Sequence, residues 1–140
     1  MGLSSYKEFT IHPNNLKHIR IYARIFFIKL KIKSAQIDDL ILVIMEAISN
    51  IFKHAYDGKI SKDTLKIKLK LEDKNLITVQ IFDKGKLIKL NQFRSRNLKD
   101  VRAGGLGLFF IGKIMDKIKF MKTNNKWNNH LIISKKITIT

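Results

Sequence analysis

Two segments in the first half of the chain carry apolar residues at helical spacing. The first begins at Asn15 and is predicted to end near Lys33-Ser34, with these apolar positions on one face: Leu16, Ile19, Tyr22, Ala23, Phe26, Phe27 and Leu30. The second begins at Gln36 or Asp38, where acidic residues suit the first turn of a helix, and continues to Asp57-Gly58. Its apolar stripe consists of Leu40, Val43, Ile44, Ala47, Ile51 and Ala55. Both segments are therefore predicted to be amphipathic helices on a shared core.

Other segments alternate between apolar and polar residues, which predicts strands. They are Tyr6 to Ile11, Thr64 to Leu71, Leu76 to Phe82, Lys117 to Thr123 and His130 to Thr138. The second and third strands are separated by a hairpin-like turn from Glu72 to Asn75. In the second strand the leucines and isoleucine face one side and the lysines between them face the other. This alternation predicts a sheet with one buried face and one solvated face.

A long stretch without periodicity, Lys86 to Ala103, separates the third strand from Gly104-Gly105-Leu106-Gly107, which opens a predicted helix from Leu108 to Asp116. Irregular segments of this length inside a compact domain tend to be functional. With no repeat and no linker, the order of elements predicts a single domain, residues 1–140. We expect an α+β fold, a two-layer sandwich with a mostly antiparallel sheet covered on one face by about three helices.

The composition narrows the class of protein. With 140 residues and 45% hydrophobic content, the chain can bury a core of its own. It has no cysteine, which excludes disulfides and Cys-based metal sites. The N-terminus lacks the order of a signal peptide, and the apolar stretch Ile19 to Ile32 is interrupted by basic residues. We therefore expect a cytoplasmic protein with no membrane partner.

The net charge of +17 suits acidic partners, but the basic residues are not clustered in one segment of the sequence. The lysines are spread along the chain and alternate with apolar residues in the strands, which is typical of a solvated sheet face. A coding bias toward Lys, Ile and Asn also produces this pattern. Nucleic acid is therefore not the expected partner, whereas an acidic protein or a nucleotide suits the charge.

Glu46, Asn50 and His54 recur four residues apart within the second helix. Each step of four turns the helix by about 400°, so the three side chains drift by only about 80° around the axis. This polar row borders the apolar stripe, whereas Asp38, Leu42, Ser49 and Lys53 face outward. Half-buried polar groups need partners, which are supplied either by local hydrogen bonds or by a ligand. Local hydrogen bonds are the simpler explanation of the row by itself.

Two glycine-containing motifs follow, and each is weak evidence taken alone. Asp83-x-Gly85 ends a strand, where the carboxylate can accept a hydrogen bond from an exocyclic amine and the glycine allows close approach of a ring. Such a sequence is usually a simple turn. Gly104 to Gly107 precedes a helix and can offer backbone N–H groups to phosphate. It is neither a Walker P-loop nor the glycine motif of dinucleotide-binding folds.

The three motifs in this order resemble those of the histidine-kinase-like ATPase superfamily. The stretches EAISNIFKHAY, from Glu46 to Tyr56, and GGLGLFFIGKIMD, from Gly104 to Asp116, are similar to those of its small anti-sigma-factor serine kinases, which act in bacterial partner switching. The resemblance covers nearly the whole chain. One departure is Leu87, which stands where many superfamily members have a second glycine after the Asp-x-Gly pair. The strong positive charge is a second departure.

The resemblance implies ATP and Mg²⁺ as cofactors. Asn50 would supply an oxygen ligand to Mg²⁺, Glu46 would be the general base, and His54 would lie near the phosphates. The adenine would be bound by Asp83 and Gly85.

The phosphates would be bound by Gly105, Leu106 and Gly107, with the glycines offering backbone N–H groups, and residues 86–104 would form a lid. The resemblance also implies regulation of transcription through two partners, a sigma factor and a small antagonist protein that is phosphorylated on serine. A homodimer is compatible with it.

Two alternatives remain open from the sequence. A protein of the same fold can bind nucleotide and a partner without transferring phosphate. A basic nucleic-acid-binding protein can match the motifs by coincidence. Glu46 favours a kinase over a silent binding module, because binding alone does not need a base.

Overall fold

The structure of the protein is a computed structural model, which describes residues 3–88, 114–121 and 126–139. In chain order its elements are β1 (Leu3–Ile11), α1 (Asn15–Lys29), α2 (Ser34–Ala55), β2 (Ser61–Glu72), β3 (Leu76–Asp83), β4 (Lys117–Phe120) and β5 (Asn129–Lys136). The five strands form one sheet in the order β1-β2-β3-β5-β4, and the pairs are antiparallel. The predicted α+β fold with an antiparallel sheet is confirmed.

One face of the sheet is buried and forms one side of the hydrophobic core. Its buried residues lie opposite one another in register, as in the row Ile67–Ile81–Leu131 across β2, β3 and β5. The residues between them, including the lysines of β2, lie on the opposite face, as the alternation predicted. Because cross-strand partners share a face, this register separates an apolar layer from a polar one.

Both described helices lie on the apolar face. Helix α2 is the central one, since ten of its residues are buried, and α1 packs beside it through Ile19, Ala23 and Phe27. None of the helices in the described part of the chain is long and apolar enough to cross a membrane.

Several boundaries differ from the predicted ones. Helix α1 ends at Lys29 instead of Lys33-Ser34, because Lys31 takes a left-handed conformation with φ of 60° and Ile32 then bridges to Ile139. Helix α2 begins earlier, at Ser34, and ends at Ala55. Strand β4 ends at Phe120, although residues 122 and 123 of the predicted strand lie outside the described residues, and β5 ends at Lys136, two residues before its predicted end.

The third predicted helix lies outside the described residues except for its last three positions, residues 114–116. Of these, Met115 is buried in the core. The glycine motif at residues 104–107 and most of the predicted lid also lie outside the described residues.

Candidate functional site

The polar row of α2 lies at the edge of the core, as its spacing predicted. Asn50 is 5% exposed, while Glu46 and His54 are half-buried. The side chains predicted to point outward from the same helix are exposed: Asp38, Leu42, Ser49 and Lys53. At a rise of 1.5 Å per residue, the row extends about 12 Å along the helix from Glu46 to His54. It is therefore a partly buried polar strip leading to the helix C-terminus.

The C-terminal end of α2 is fastened to the loop that follows β3. The Lys86 amide donates to the Ala55 carbonyl oxygen at 2.8 Å, and the Lys84 amide donates to the Tyr56 hydroxyl at 3.1 Å. Burial raises the pKa of Tyr56 to about 12, so its hydroxyl stays neutral. The structure thus brings the end of the helix that carries Glu46, Asn50 and His54 against the Asp-x-Gly motif.

Gly85 is required by this contact. A Cβ atom at Gly85 would lie 2.5 Å from the Ala55 carbonyl oxygen and 2.7 Å from its Cβ, well inside van der Waals contact. Sequence reasoning assigned this glycine to the approach of an adenine ring. The structure gives it a local reason as well, because only a residue without a side chain lets the loop reach the helix end.

Asp83 is fully buried at the end of β3. Its Oδ1 accepts hydrogen bonds from the Gly85 amide at 2.9 Å and from the Asn129 side chain at 2.8 Å. Its Oδ2 has no hydrogen-bond partner among the described residues. Burial raises the pKa of this carboxyl to about 6, although both hydrogen bonds lower it. A buried acceptor without a partner is costly, so the site fits a ligand that donates a hydrogen bond, such as an exocyclic amine.

Asn129 is a site residue that sequence reasoning missed, because the last predicted strand begins one residue later, at His130. It is 3% exposed and holds three groups of the loop. Its Nδ2 donates to Asp83 Oδ1 and to the Lys86 carbonyl, both at 2.8 Å, and its Oδ1 accepts from the Ile88 amide at 2.8 Å. Asn129 lies opposite Asp83 in the β3–β5 ladder, a pairing that the sequence does not show.

Asn128 supports the same loop from the exposed side. Its backbone amide donates to the Asp83 carbonyl at 2.8 Å, and its side chain donates to the Lys84 and Gly85 carbonyls at 2.9 and 3.0 Å. The loop after β3 is therefore held between α2 and the start of β5. Of the predicted phosphate-binding residues, Gly105, Leu106 and Gly107 lie outside the described residues.

Comparison with known proteins agrees with the geometry. The sequence profile of the histidine kinase-like ATPase domain matches residues 9–135. A protein named serine-protein kinase RsbW from Staphylococcus aureus (strain bovine RF122 / ET3-1) is 35% identical over 95 residues, which is 61% of this chain and 58% of the relative. The RsbW of Halalkalibacterium halodurans is 34% identical over 92 residues, or 59% of this chain and 54% of the relative. The aligned part thus spans little more than half of these relatives.

Solved structures share the fold at low sequence identity. The crystal structure of the RsbU and RsbW domains of a Mycobacterium tuberculosis protein superposes with a TM-score of 0.69 at 13% identity, covering 96% of this chain and 32% of that one. The SiaB-SiaC complex from Pseudomonas aeruginosa contains a chain with a TM-score of 0.62 at 11% identity, covering 96% of this chain and 88% of that one.

Proposed function

Because the chain belongs to the histidine kinase-like ATPase domain family, we propose that it binds Mg-ATP between helix α2 and the loop after β3 and transfers the γ-phosphate to a serine of a partner protein. The observation that carries this proposal is Asp83, a buried carboxylate with one oxygen committed to the protein and the other without a partner among the described residues.

The adenine end of the site is built around that oxygen. The exocyclic amine of adenine would donate to Asp83 Oδ2, while Asn129 and the Gly85 amide hold Oδ1 in place. A base with a carbonyl in place of this amine would place its carbonyl oxygen, an acceptor, against Asp83 Oδ2, which is also an acceptor. A polar site of this kind discriminates strongly against a ligand that leaves its buried group unpaired.

The phosphate end would lie along the polar row of α2. Asn50 offers a carboxamide oxygen, which is the kind of ligand that Mg²⁺ accepts. The described residues contain no cluster of three or more His, Cys, Asp or Glu that could hold a metal without the nucleotide. Mg²⁺ would offset the charge of the nucleotide phosphates. His54, one helical turn further on, would lie near the same phosphates.

Glu46 is the proposed general base. Its carboxylate would take the proton of the serine hydroxyl as the serine oxygen bonds to the γ-phosphorus and the bond from that phosphorus to the β–γ bridging oxygen breaks. ADP then leaves with that oxygen. Because phosphoryl transfer requires mainly positioning and charge stabilisation, one base and a bound nucleotide are chemically sufficient.

A serine of a partner protein is the proposed phosphate acceptor, because the relatives are named serine-protein kinase RsbW. From the resemblance to the anti-sigma-factor serine kinases, we expect a small antagonist as the phosphorylated protein and a sigma factor as the second partner. We expect the protein to act in the cytoplasm, and a homodimer is compatible with the resemblance. The neighbour solved as the SiaB-SiaC complex is a chain of this fold seen with a protein partner.

The test is capture of partners from an extract of the source organism in Mg-ATP and in Mg-ADP, followed by mass spectrometry for phosphoserine in the captured protein. We expect an antagonist that gains phosphate with the wild type. Glu46→Gln should capture the same protein and lose transfer by at least about a hundredfold, the usual size of a general-base contribution. Capture without transfer by the wild type would instead identify a silent binding module.

A further inference from the structure

The face of the sheet that the two described helices leave open collects lysines from three strands. The register places six on this face: Lys66, Lys68, Lys70, Lys117, Lys119 and Lys136. Cross-strand rows connect these lysines. In one row, Lys68 of β2 pairs with Gln80, which pairs with Ile132, and Ile132 pairs with Lys119 of β4. Neighbouring lysines of β2 are about 6.6 Å apart, at about 3.3 Å per strand residue. Lysines that are spread along the sequence therefore form one basic surface in the fold.

Among the residues that the structure describes, few carboxylates on this face oppose the positive charge of the lysines. The strand residues of the open face include Glu8, which accepts from the Thr64 hydroxyl at 2.7 Å, and Glu72, which accepts from the Thr78 hydroxyl at 2.7 Å. Within the described strands, the only ion pair on this face joins Lys70 to Glu72 at 3.5 Å. The remaining lysines leave a field that attracts polyanions.

Aromatic rings lie among the lysines on the same face. The Lys66 ammonium is 5.2 Å from the ring centroid of Tyr6 and 5.1 Å from that of Phe82. Phe82 is stacked on His130 with centroids 4.0 Å apart. Tyr6 is 67% exposed, so its ring is open to a ligand, whereas Trp127 beside Phe82 is only 5% exposed. The surface therefore offers lysine ammonium groups together with the accessible ring of Tyr6.

Contrary to the expectation from the sequence, where the lysines are spread along the chain, we propose that this open sheet face binds single-stranded nucleic acid. Lysines alone would suit any polyanion, but an exposed ring beside them fits a ligand that carries both phosphates and flat bases. A sheet face is broad and flat and offers no ridge for a duplex groove, whereas unpaired bases can lie on it. The surface is distinct from the nucleotide site, because Asp83 faces the opposite, buried side of the sheet.

The test uses the full chain and fluorescein-labelled oligouridine and oligothymidine of about 20 nucleotides, followed by fluorescence anisotropy between 50 and 200 mM NaCl. We expect the logarithm of the binding constant to fall with the logarithm of salt with a slope of about −3, at about −0.7 per phosphate contacted and about four contacts. Mg-ATP should not displace the oligonucleotide.

Two triple variants with the same change in net charge distinguish binding at this surface from a general effect of the protein's positive charge. K68Q/K117Q/K119Q should reduce the magnitude of the slope by about 2. K17Q/K29Q/K53Q, whose lysines are exposed on the helical layer, should leave it unchanged. Equal loss in both variants would overturn the proposal, as would no binding by the wild type at 50 mM NaCl.

Tyr6 distinguishes nucleic acid from an acidic polypeptide. Tyr6→Leu should weaken oligonucleotide binding at least about fivefold because stacking is lost, and Tyr6→Phe should retain it. Polyglutamate serves as the acidic polypeptide probe. If polyglutamate binds more tightly than the oligonucleotides and Tyr6→Leu changes neither affinity, the surface recognises acidic protein and the proposal is wrong.

Discussion

Asp83 is the residue on which the candidate site depends. Its two oxygens have different surroundings, since Oδ1 is held by Asn129 and Gly85 while Oδ2 has no partner among the described residues. The desolvated carboxylate is a cost to the folded protein at neutral pH. A ligand that supplies the missing donor would offset that cost, which is why we assign Asp83 to recognition of the adenine amine.

The pH dependence of stability should report this buried carboxylate. Its pKa is about 6 in the folded protein, above the ordinary pKa of 3.8 for an aspartate side chain. Between these values the folded state binds more protons than the unfolded state, so stability falls as pH rises and levels off above pH 6. The Asp83 contribution to this fall should reach about 3 kcal/mol.

Urea unfolding of the wild type and Asp83→Asn at pH 4, 5 and 7 measures this contribution. Asp83→Asn cannot titrate at this position. As pH rises from 4 to 7, the unfolding free energy of the wild type should therefore fall relative to that of the variant. A difference that is the same at all three pH values would contradict the buried charge.

At the scale of elements, three of them meet at one loop. The loop after β3 is fastened to the end of α2 through Ala55 and Tyr56 and to the start of β5 through Asn128 and Asn129. No single element forms the site, and its geometry depends on how closely α2 and β5 approach the loop. Variants at the buried residues of these junctions should therefore affect ligand affinity as well as stability, and variants at the exposed ones should have smaller effects.

The β5 junction can be tested with neighbouring asparagines. Asn129→Ala removes the partner of the half-buried Lys86 carbonyl and of the buried Ile88 amide, and it should destabilise the protein by about 3 kcal/mol. It should also weaken ATP binding, because Asp83 Oδ1 loses one of the two donors that orient it. Asn128→Ala is the control, since Asn128 is exposed and its loss should cost less than about 1 kcal/mol. Equal effects in denaturant melts and ATP titrations would show that Asn129 has no special positioning role.

The α2 junction can be tested with two glycines. Gly85→Ala places a Cβ against the Ala55 backbone, so we expect destabilisation of about 1–3 kcal/mol and a loss of ATP affinity. Gly58→Ala meets no atom within 4 Å and is strained only by its φ of 73°. It should cost about 1–2 kcal/mol of stability and leave ATP affinity unchanged. Unfolding and ATP titration of both variants provide the comparison; unchanged ATP affinity in Gly85→Ala would contradict the account.

At the scale of the whole molecule, the sequence predicted the fold but only part of the site. Two helices and five strands follow from periodicity, because burying one face of each element leaves the matching pattern in the chain. The row Glu46, Asn50 and His54 was predictable for the same reason. Asn129 was not, because its importance comes from its position opposite Asp83 in the β3–β5 ladder, and its own neighbours are typical turn residues.

The basic sheet face illustrates the same limit. Lysines at alternate positions predicted a solvated face, and the structure places them on one. Their meeting with Tyr6, Phe82 and His130 depends on strand order, which joins β2 and β3 to β5. That residues 1–140 form a single domain remains a prediction.

The most direct test of the account is titration of the wild type and Asn50→Ala with ATP by isothermal calorimetry, with Mg²⁺ and with EDTA. The wild type should bind ATP more tightly with Mg²⁺ than without it. Asn50→Ala should bind with the same affinity in both conditions, because the side-chain oxygen that would contact the metal is gone. If the wild type fails to bind ATP at millimolar concentration with Mg²⁺, the proposed nucleotide site is wrong.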